Sequence, residues 1–267
     1  MLGPVALLFV AFCAASSAVY LVNDIVDREE DRRHPVKRNR PIASGRLPLG
    51  AAGLLAAALA AASVAVAWFL PTDVRLTSGG LRPGPVVLAA YLALNVAYTT
   101  LLKRVAIADV TCVALGFLIR VASGPKVVGL EVSSWLILCT FFGALFLALA
   151  KRRGELLVTE STGGGRSVLE EYSTQALDLL VGTAATATIL CYAIYTVSPD
   201  TVQKFHTHRL VYTVPFVFFG LGRYLLLLFR RRRGEDPAAV LFSDPGLLLA
   251  IGGWLAASWA AITHATK

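Results

Sequence analysis

The chain has 267 residues, 56% of them hydrophobic and only 16% charged, and a mean hydropathy of +0.66. An average soluble domain carries about 25% charged residues, so the balance excludes an ordinary soluble protein and points to an integral membrane protein. The net charge of +8 is not a nucleic-acid signal, because it follows the ends of the apolar stretches and forms no basic face of its own.

A membrane-crossing helix needs roughly 20 mostly apolar residues. Eight stretches qualify, at about 4–22, 49–70, 84–101, 107–123, 133–150, 176–197, 210–229 and 245–263, and they nearly exhaust the chain. The expected fold is all-α, a polytopic transmembrane helix bundle forming one domain over 1–267. Strands are excluded, because the apolar runs are too long, do not alternate, and would leave backbone groups unpaired in lipid. If the spans alternate in direction, the segments 23–46, 102–106, 151–175 and 230–244 share one side and hold 17 Lys and Arg, against 6 on the other side. Arg120 and Arg223 fall inside spans. The positive-inside rule puts the rich side in the cytoplasm, and the four arginines at 230–233 read as a stop-transfer flank. Eight spans leave Met1 outside with no charged flank, and the start lacks the basic region of a signal peptide. Both are expected of a chain that lacks an upstream helix or whose start is wrongly placed.

The first polar segment, "NDIVDREEDRRHPVKRNRP" at 23–41, holds five acidic and six basic residues directly after an uncharged span. On a helix at roughly 100° per residue, Asn23, Asp24, Asp27 and Asp31 fall within one arc of roughly 100°. Glu29 points away and Glu30 lies at the edge of the arc. Three carboxylates on one face need a cation, or one of them takes up a proton. Hard oxygen ligands suit Mg²⁺, which keeps waters and binds through substrate phosphates. Lys37, Arg38 and Arg40 follow one turn later, with Pro35 and Pro41 ending the helix and fixing the turn. Arginine matches phosphate geometry with its fork and lysine acts as a point charge. Acids gripping a metal beside bases gripping phosphate fit a metal-bridged diphosphate.

The span near 107–123 carries Asp109 and Arg120. Ionisable groups there are costly and by default functional; Asp109 and Arg120 either face a cavity, or pair with each other or with neighbouring charges. Cys13, Cys112, Cys139 and Cys191 all lie in spans without CxxC spacing, so they read as small buried hydrophobes. His206 and His208 read as exposed loop residues. The polar segments 23–46 and 151–175 follow the first and fifth spans, the layout of a duplicated four-helix unit. Gly163–Gly165 mark a turn in the second.

The pattern N-D-x-x-D-x-x-x-D followed by P-x-K-x-x-R-P-I-A-x-G, here "NDIVDREED" and "PVKRNRPIASG", resembles the first signature of the UbiA superfamily of intramembrane prenyltransferases. The resemblance implies a nine-helix bundle with a central cavity capped on the cytoplasmic side, of which about eight spans are visible here. It also implies Asp24, Asp27 and Asp31 as metal ligands and catalytic residues, Asn23 assisting, and Mg²⁺ as cofactor with Mn²⁺ as a substitute. Aromatic prenyltransferases of the superfamily carry a second D-x-x-x-D in the later loop. Here that loop reads "KRRGEL" and "RSVLEEYS", which resembles the decaprenyl-phosphate phosphoribosyltransferase branch. In that branch the diphosphate belongs to phosphoribosyl pyrophosphate and the lipid is a polyprenyl monophosphate. Lys151, Arg152, Arg166 and Tyr172 are then the expected lipid-phosphate donors, and Glu155 orients a base or binds ribose. Tyr98, Lys103, Asp109 and Arg120 match positions that recur in the branch. The implied partners are phosphoribosyl pyrophosphate, a polyprenyl phosphate and the membrane, with no nucleic acid and a homo-oligomer left open. The implied location is the cell membrane, the site facing the cytoplasm and the product feeding envelope arabinan. The alternatives are an aromatic prenyltransferase of the same superfamily and a non-catalytic transporter or lipid-binding protein.

Overall fold

In a bilayer only a helix satisfies every backbone group within its own segment, and the long apolar stretches fold accordingly. The computed structural model describes residues 2–33, 37–70, 80, 82–162, 167–231 and 237–263, with no strand among them. The helices are α1 (Leu2–Val26), α2 (Arg28–Arg33), α3 (Leu49–Trp68), α4 (Pro83–Thr100), α5 (Ala108–Val127), α6 (Ser134–Thr162), α7 (Thr174–Val197), α8 (Pro199–Phe205), α9 (Val214–Arg231), α10 (Pro237–Ser243) and α11 (Pro245–Thr263). Among the described residues seven segments are long and apolar enough to cross a membrane. The eighth expected span is α4, which has 18 residues but is diluted by Pro83, Pro85, Asn95 and two tyrosines.

One difference concerns α6. The polar segment expected at 151–175 is helical as far as Thr162. Its 29 residues span about 43 Å at 1.5 Å per residue, well beyond a hydrocarbon core of about 30 Å. Lys, Arg, Glu and Leu are strong helix formers, so the helix continues past the apolar part and carries Lys151–Glu155 on its polar extension. Gly163–Gly165 lie outside the described residues.

Two units divide the chain, one of Met1–Val132 with Gly164–Val168, the other of Ser133–Gly163 with Leu169–Lys267. Each holds four helices of 18 residues or more, in keeping with the duplicated layout. In the first unit α1 packs along α3, and α4 along α5. Ala11, Ala15 and Ala18 of α1 and Ala52 and Ala56 of α3 are buried. Small residues let backbones approach closely where lipid supplies no hydrophobic drive between helices. Gly84 shows how close: a Cβ there would lie 2.8 Å from the Ala67 carbonyl oxygen. Leu8, Phe12, Leu88 and Tyr91 form the core. The Phe12 and Tyr91 rings meet edge to face at 5.4 Å, and Tyr91 bonds Ser16 at 2.9 Å through their hydroxyls. Cys13 differs from expectation: it is exposed, while Cys112 and Cys191 are buried and Cys139 is intermediate. Its position on α1 faces outward, where a thiol meets little penalty in lipid.

In the second unit α6 packs along α7 and α9 along α11, around Phe146, Leu177, Val181 and Leu228. Asp244 starts α11. Its Oδ1 accepts from the Leu247 amide at 3.1 Å, while Arg223 donates from Nε to Oδ1 at 3.0 Å and from Nη2 to Oδ2 at 2.9 Å. Aspartate before a proline at the first helical position is a preferred start. The Arg223 hydrogen bond, with the Leu247 and Gly246 amides, holds the Asp244 carboxyl below the usual carboxylate range despite its burial. Arg223 is thereby accounted for as half of an ion pair. Leu54, Trp68, Leu249 and Trp259 point outward, which lipid tolerates and water would penalise. His206 and His208 are exposed.

Candidate functional site

The acidic face is built on the first unit. The Asp27 amide donates to the Asn23 carbonyl and the Asp31 amide to the Asp27 carbonyl, each at 2.8 Å. The helical repeat therefore runs from α1 into α2 almost without interruption, and residues at i, i+4 and i+8 share a face. Asn23 Oδ1 accepts from the Thr99 hydroxyl at 2.5 Å. Asp24 Oδ1 and Asp31 Oδ2 both accept from Arg40 Nη1, at 2.8 Å and 2.9 Å. Asp27 pairs with Lys103. Glu29 points away, toward Arg32 and solvent, and Glu30 is exposed.

The turn that delivers Arg40 is anchored locally. Lys37–Asn39 form a single 3-10 turn, and the Arg40 amide donates to the Lys37 carbonyl at 2.9 Å. Ile42 and Ala43 are buried, and Arg32 Nε reaches back to the Ala43 carbonyl at 3.0 Å. Gly45 takes φ +80°, a conformation that favours glycine. The P-I-A-x-G motif thus closes the turn over the carboxylates. Pro35 lies outside the described residues. Lys37 is half-buried; Arg38 is exposed, without a hydrogen bond or ion pair among the described residues.

The opposite wall comes from the end of α4. Thr99 is buried there and Tyr98 beside it is half-buried. A 3-10 turn, Leu102–Arg104, carries Lys103. Ile107 then joins this turn to α5 at φ 67°, ψ −42°, a strained conformation for a β-branched residue. Asp109 is fully buried in the first turn of α5. Arg120, three turns further on, does not pair with it: Nε donates to the Gly116 carbonyl at 3.1 Å, and the guanidinium lies over the Tyr91 and Phe117 rings at 5.5 and 4.5 Å. Arg120 also lines a groove of about 490 Å³ with Leu8, Phe12 and Ser16.

The second unit carries the basic residues of α6. Lys151 is exposed. Arg152 is buried and donates to Glu155 at 2.5 Å, so the base oriented by Glu155 includes Arg152. Tyr172 is buried after a short 3-10 turn. Arg166 lies outside the described residues. Two residues escaped sequence reading. Thr99 gave no signal beyond a hydroxyl at a helix end. Arg153 was hidden in "KRR"; it is buried, pairs with Asp178, and lies 4.7 Å over the Phe229 ring, with Nη1 on the Leu228 carbonyl.

Among the described residues no group of three His, Cys, Asp or Glu side chains stands ready to hold a metal. The pair Asp24 and Asp31 nevertheless fits a divalent cation. Both are hard oxygen donors, both already embrace one cationic nitrogen, and Mg²⁺ typically takes one or two carboxylates plus waters and substrate phosphate.

Comparison with known proteins agrees with this architecture. The model of the UbiA prenyltransferase family matches residues 2–244. A decaprenyl-phosphate phosphoribosyltransferase of Mycolicibacterium smegmatis is 35% identical over 97% of this chain and 80% of its own length. Its namesake in Mycobacterium tuberculosis is 35% identical over 98% of this chain and 82% of its own length. A UbiA homolog from Archaeoglobus fulgidus, solved bound to GPP and Mg²⁺, superposes with a TM-score of 0.71 at 17% identity, over 98% of this chain and 89% of that one, a likeness of fold. With the family signature at 23–45, the seven apolar spans and these matches together, the chain is a multi-pass membrane protein that belongs to the UbiA prenyltransferase family.

Proposed function

We propose that the chain transfers the 5-phosphoribosyl group of phosphoribosyl pyrophosphate to a polyprenyl phosphate, releasing pyrophosphate. The observation that carries the reading is one carboxylate pair, Asp24 and Asp31, spanned by a cation at the end of a span. Segment 151–175 adds basic and hydroxyl groups and no D-x-x-x-D pair. One acidic pair serves one metal-bound diphosphate, and cations and hydroxyls suit a lipid monophosphate. The name of two relatives, decaprenyl-phosphate phosphoribosyltransferase, supports a phosphoribosyl donor and a polyprenyl phosphate acceptor.

Asp24 and Asp31 would hold Mg²⁺, with Mn²⁺ as a substitute, while Asp27 and Asn23 complete the face. Held there, the metal would neutralise charge on the leaving diphosphate. Arg40, with Lys37 and Arg38, would grip phosphate oxygens, favouring the charge that develops as the C1–O bond breaks. Lys103 and Tyr98 flank the same face. Lys151, Arg152 and Tyr172, with Arg166, would hold the lipid phosphate, which is ionised near neutral pH and needs no general base. Attack from the side opposite the diphosphate predicts inversion at C1. Residues 1–267 would act as one catalytic domain, with the site on the cytoplasmic side of the cell membrane and the product serving envelope arabinan.

The test is incubation of the purified chain with radiolabelled phosphoribosyl pyrophosphate, Mg²⁺ and polyprenyl phosphate. Counts in the lipid phase that chelation abolishes support the proposal. Turnover of a prenyl diphosphate with an aromatic acceptor, and none with phosphoribosyl pyrophosphate, overturns it.

A further inference from the structure

Arg40 is asked to do two things that one guanidinium cannot do at once. Its Nη1 lies 2.8 Å from Asp24 Oδ1 and 2.9 Å from Asp31 Oδ2, the place of a cation bridging two carboxylates. The motif it belongs to is also the one expected to grip phosphate. Asp27 is meanwhile covered by Lys103, so all three carboxylates touch a cation of the chain itself, Asp24 and Asp31 sharing one. A divalent ion arriving alone has to expel Arg40 from its partners. A diphosphate arriving alone meets carboxylates whose neutralising cation is already engaged. Arriving together, the ion takes the carboxylates and the diphosphate takes the guanidinium, so each group freed by the exchange meets a partner of opposite charge.

Burial says which partner moves. The Asp31 side chain is 6% exposed and sits on a helix, whereas the Arg40 side chain is 40% exposed at the end of a single 3-10 turn. The long side chain can swing while the carboxylates stay in place.

We infer that Arg40 is an exchange residue: it bridges Asp24 and Asp31 in the metal-free protein and transfers to the diphosphate when metal and diphosphate bind, so that the two ligands bind cooperatively. The inference rests on the proposal that Asp24 and Asp31 hold the metal. It adds that neither ligand binds well without the other. By linkage, each raises the affinity of the other by the same factor, and a coupling of about tenfold or more is expected, within the usual range for linked sites.

The experiment uses the full chain in lipid nanodiscs, with Mn²⁺ read by electron paramagnetic resonance and inorganic pyrophosphate as the diphosphate. The Mn²⁺–pyrophosphate complex formed in solution is measured separately and subtracted. The wild type is expected to bind Mn²⁺ weakly alone and about tenfold more tightly with pyrophosphate. Arg40→Gln is expected to bind Mn²⁺ alone about tenfold more tightly than the wild type and to lose most of the coupling. Arg40→Lys, which keeps a competing cation, is expected to stay near the wild type for Mn²⁺ alone. Equal Mn²⁺ affinity in the wild type with and without pyrophosphate overturns the inference. So does a folded Arg40→Gln that binds Mn²⁺ no more tightly; if that variant does not fold, the wild-type titration decides. Phosphoribosyl transfer is read in a separate assay: coupling without transfer removes the substrate assignment and spares the exchange, and transfer without coupling does the reverse.

Discussion

Lys103 and Asp27 form an ion pair across 76 positions of sequence, tying the turn after α4 to the junction of α1 and α2. Their side chains are 12% and 15% exposed, so neither charge has much water to fall back on. Removing one partner of such a pair leaves the other stranded, and that penalty exceeds what the pair contributes beyond two neutral groups. Lys103→Met is therefore expected to lower stability by about 3 kcal/mol. Adding Asp27→Asn to it should recover part of the loss. Thermal melting of both single variants and the double variant in detergent checks this. Strictly additive losses would mean that the two side chains do not interact.

The carboxylate face predicts a contrast along the helical run from α1 into α2. Asp24→Asn or Asp31→Asn removes a ligand from the proposed metal pair, and turnover at saturating donor is expected to fall by about 100- to 1,000-fold, the range for losing one electrostatic contact to a developing charge. Glu29→Gln, on the outward face beside Arg32, is expected to leave turnover within about twofold, as a surface substitution does. Chelation should abolish the wild-type reaction and restored Mg²⁺ should return it. Equal damage from all three substitutions would undo the assignment of the inward face.

That contrast was readable before any coordinates. The 3.6-residue repeat alone sorts Asn23, Asp24, Asp27 and Asp31 from Glu29, because helix geometry is local and needs no tertiary information. The partners were not readable. Which cation meets Asp24 depends on how the turn at 37–45 closes, and that is decided by the burial of Ile42 and Ala43 and by the positive φ of Gly45. The Asn23–Thr99 bond and the Lys103–Asp27 pair join segments about 76 residues apart, a distance over which spacing carries no register. Hydropathy found all eight long helices but stopped α6 near 150, because its polar extension has helix propensity and no apolar signal. Arg223 falls inside a span with no partner legible in the sequence for a similar reason: its partner Asp244 lies beyond the end of its own helix.

Ile107 offers a test that separates stability from function. Its positive φ joins the Lys103 turn to α5, and a strained residue of this kind costs on the order of 1–3 kcal/mol. Glycine relieves that strain, at an entropic cost of about 0.5–1 kcal/mol in the unfolded chain. Ile107→Gly is therefore expected to keep or slightly raise the melting temperature. The freed turn no longer fixes Lys103 against Asp27, so KM for the phosphoribosyl donor is expected to rise several-fold. A melting temperature that drops with KM unchanged would show that the conformation serves only packing.

The Arg223–Asp244 pair makes a prediction in pH. The Asp244 carboxyl is held below its ordinary value, first by the Arg223 hydrogen bond, whereas in the unfolded chain it titrates near about 3.9. A group with a depressed folded pKa contributes stability that is present above the unfolded value and is lost as pH falls through the folded one. Asp244→Asn retains an amide oxygen able to cap α11 but lacks the charge at every pH. Its melting temperature is therefore expected to lie below that of the wild type near neutral pH, with the gap closing as the pH drops below about 4. Comparing the two chains at each pH cancels the other groups that titrate in acid, so the narrowing reports this carboxylate alone. A gap that persists unchanged into that acidic range would mean that the capping geometry, and not the charge on Asp244, is what Arg223 supports.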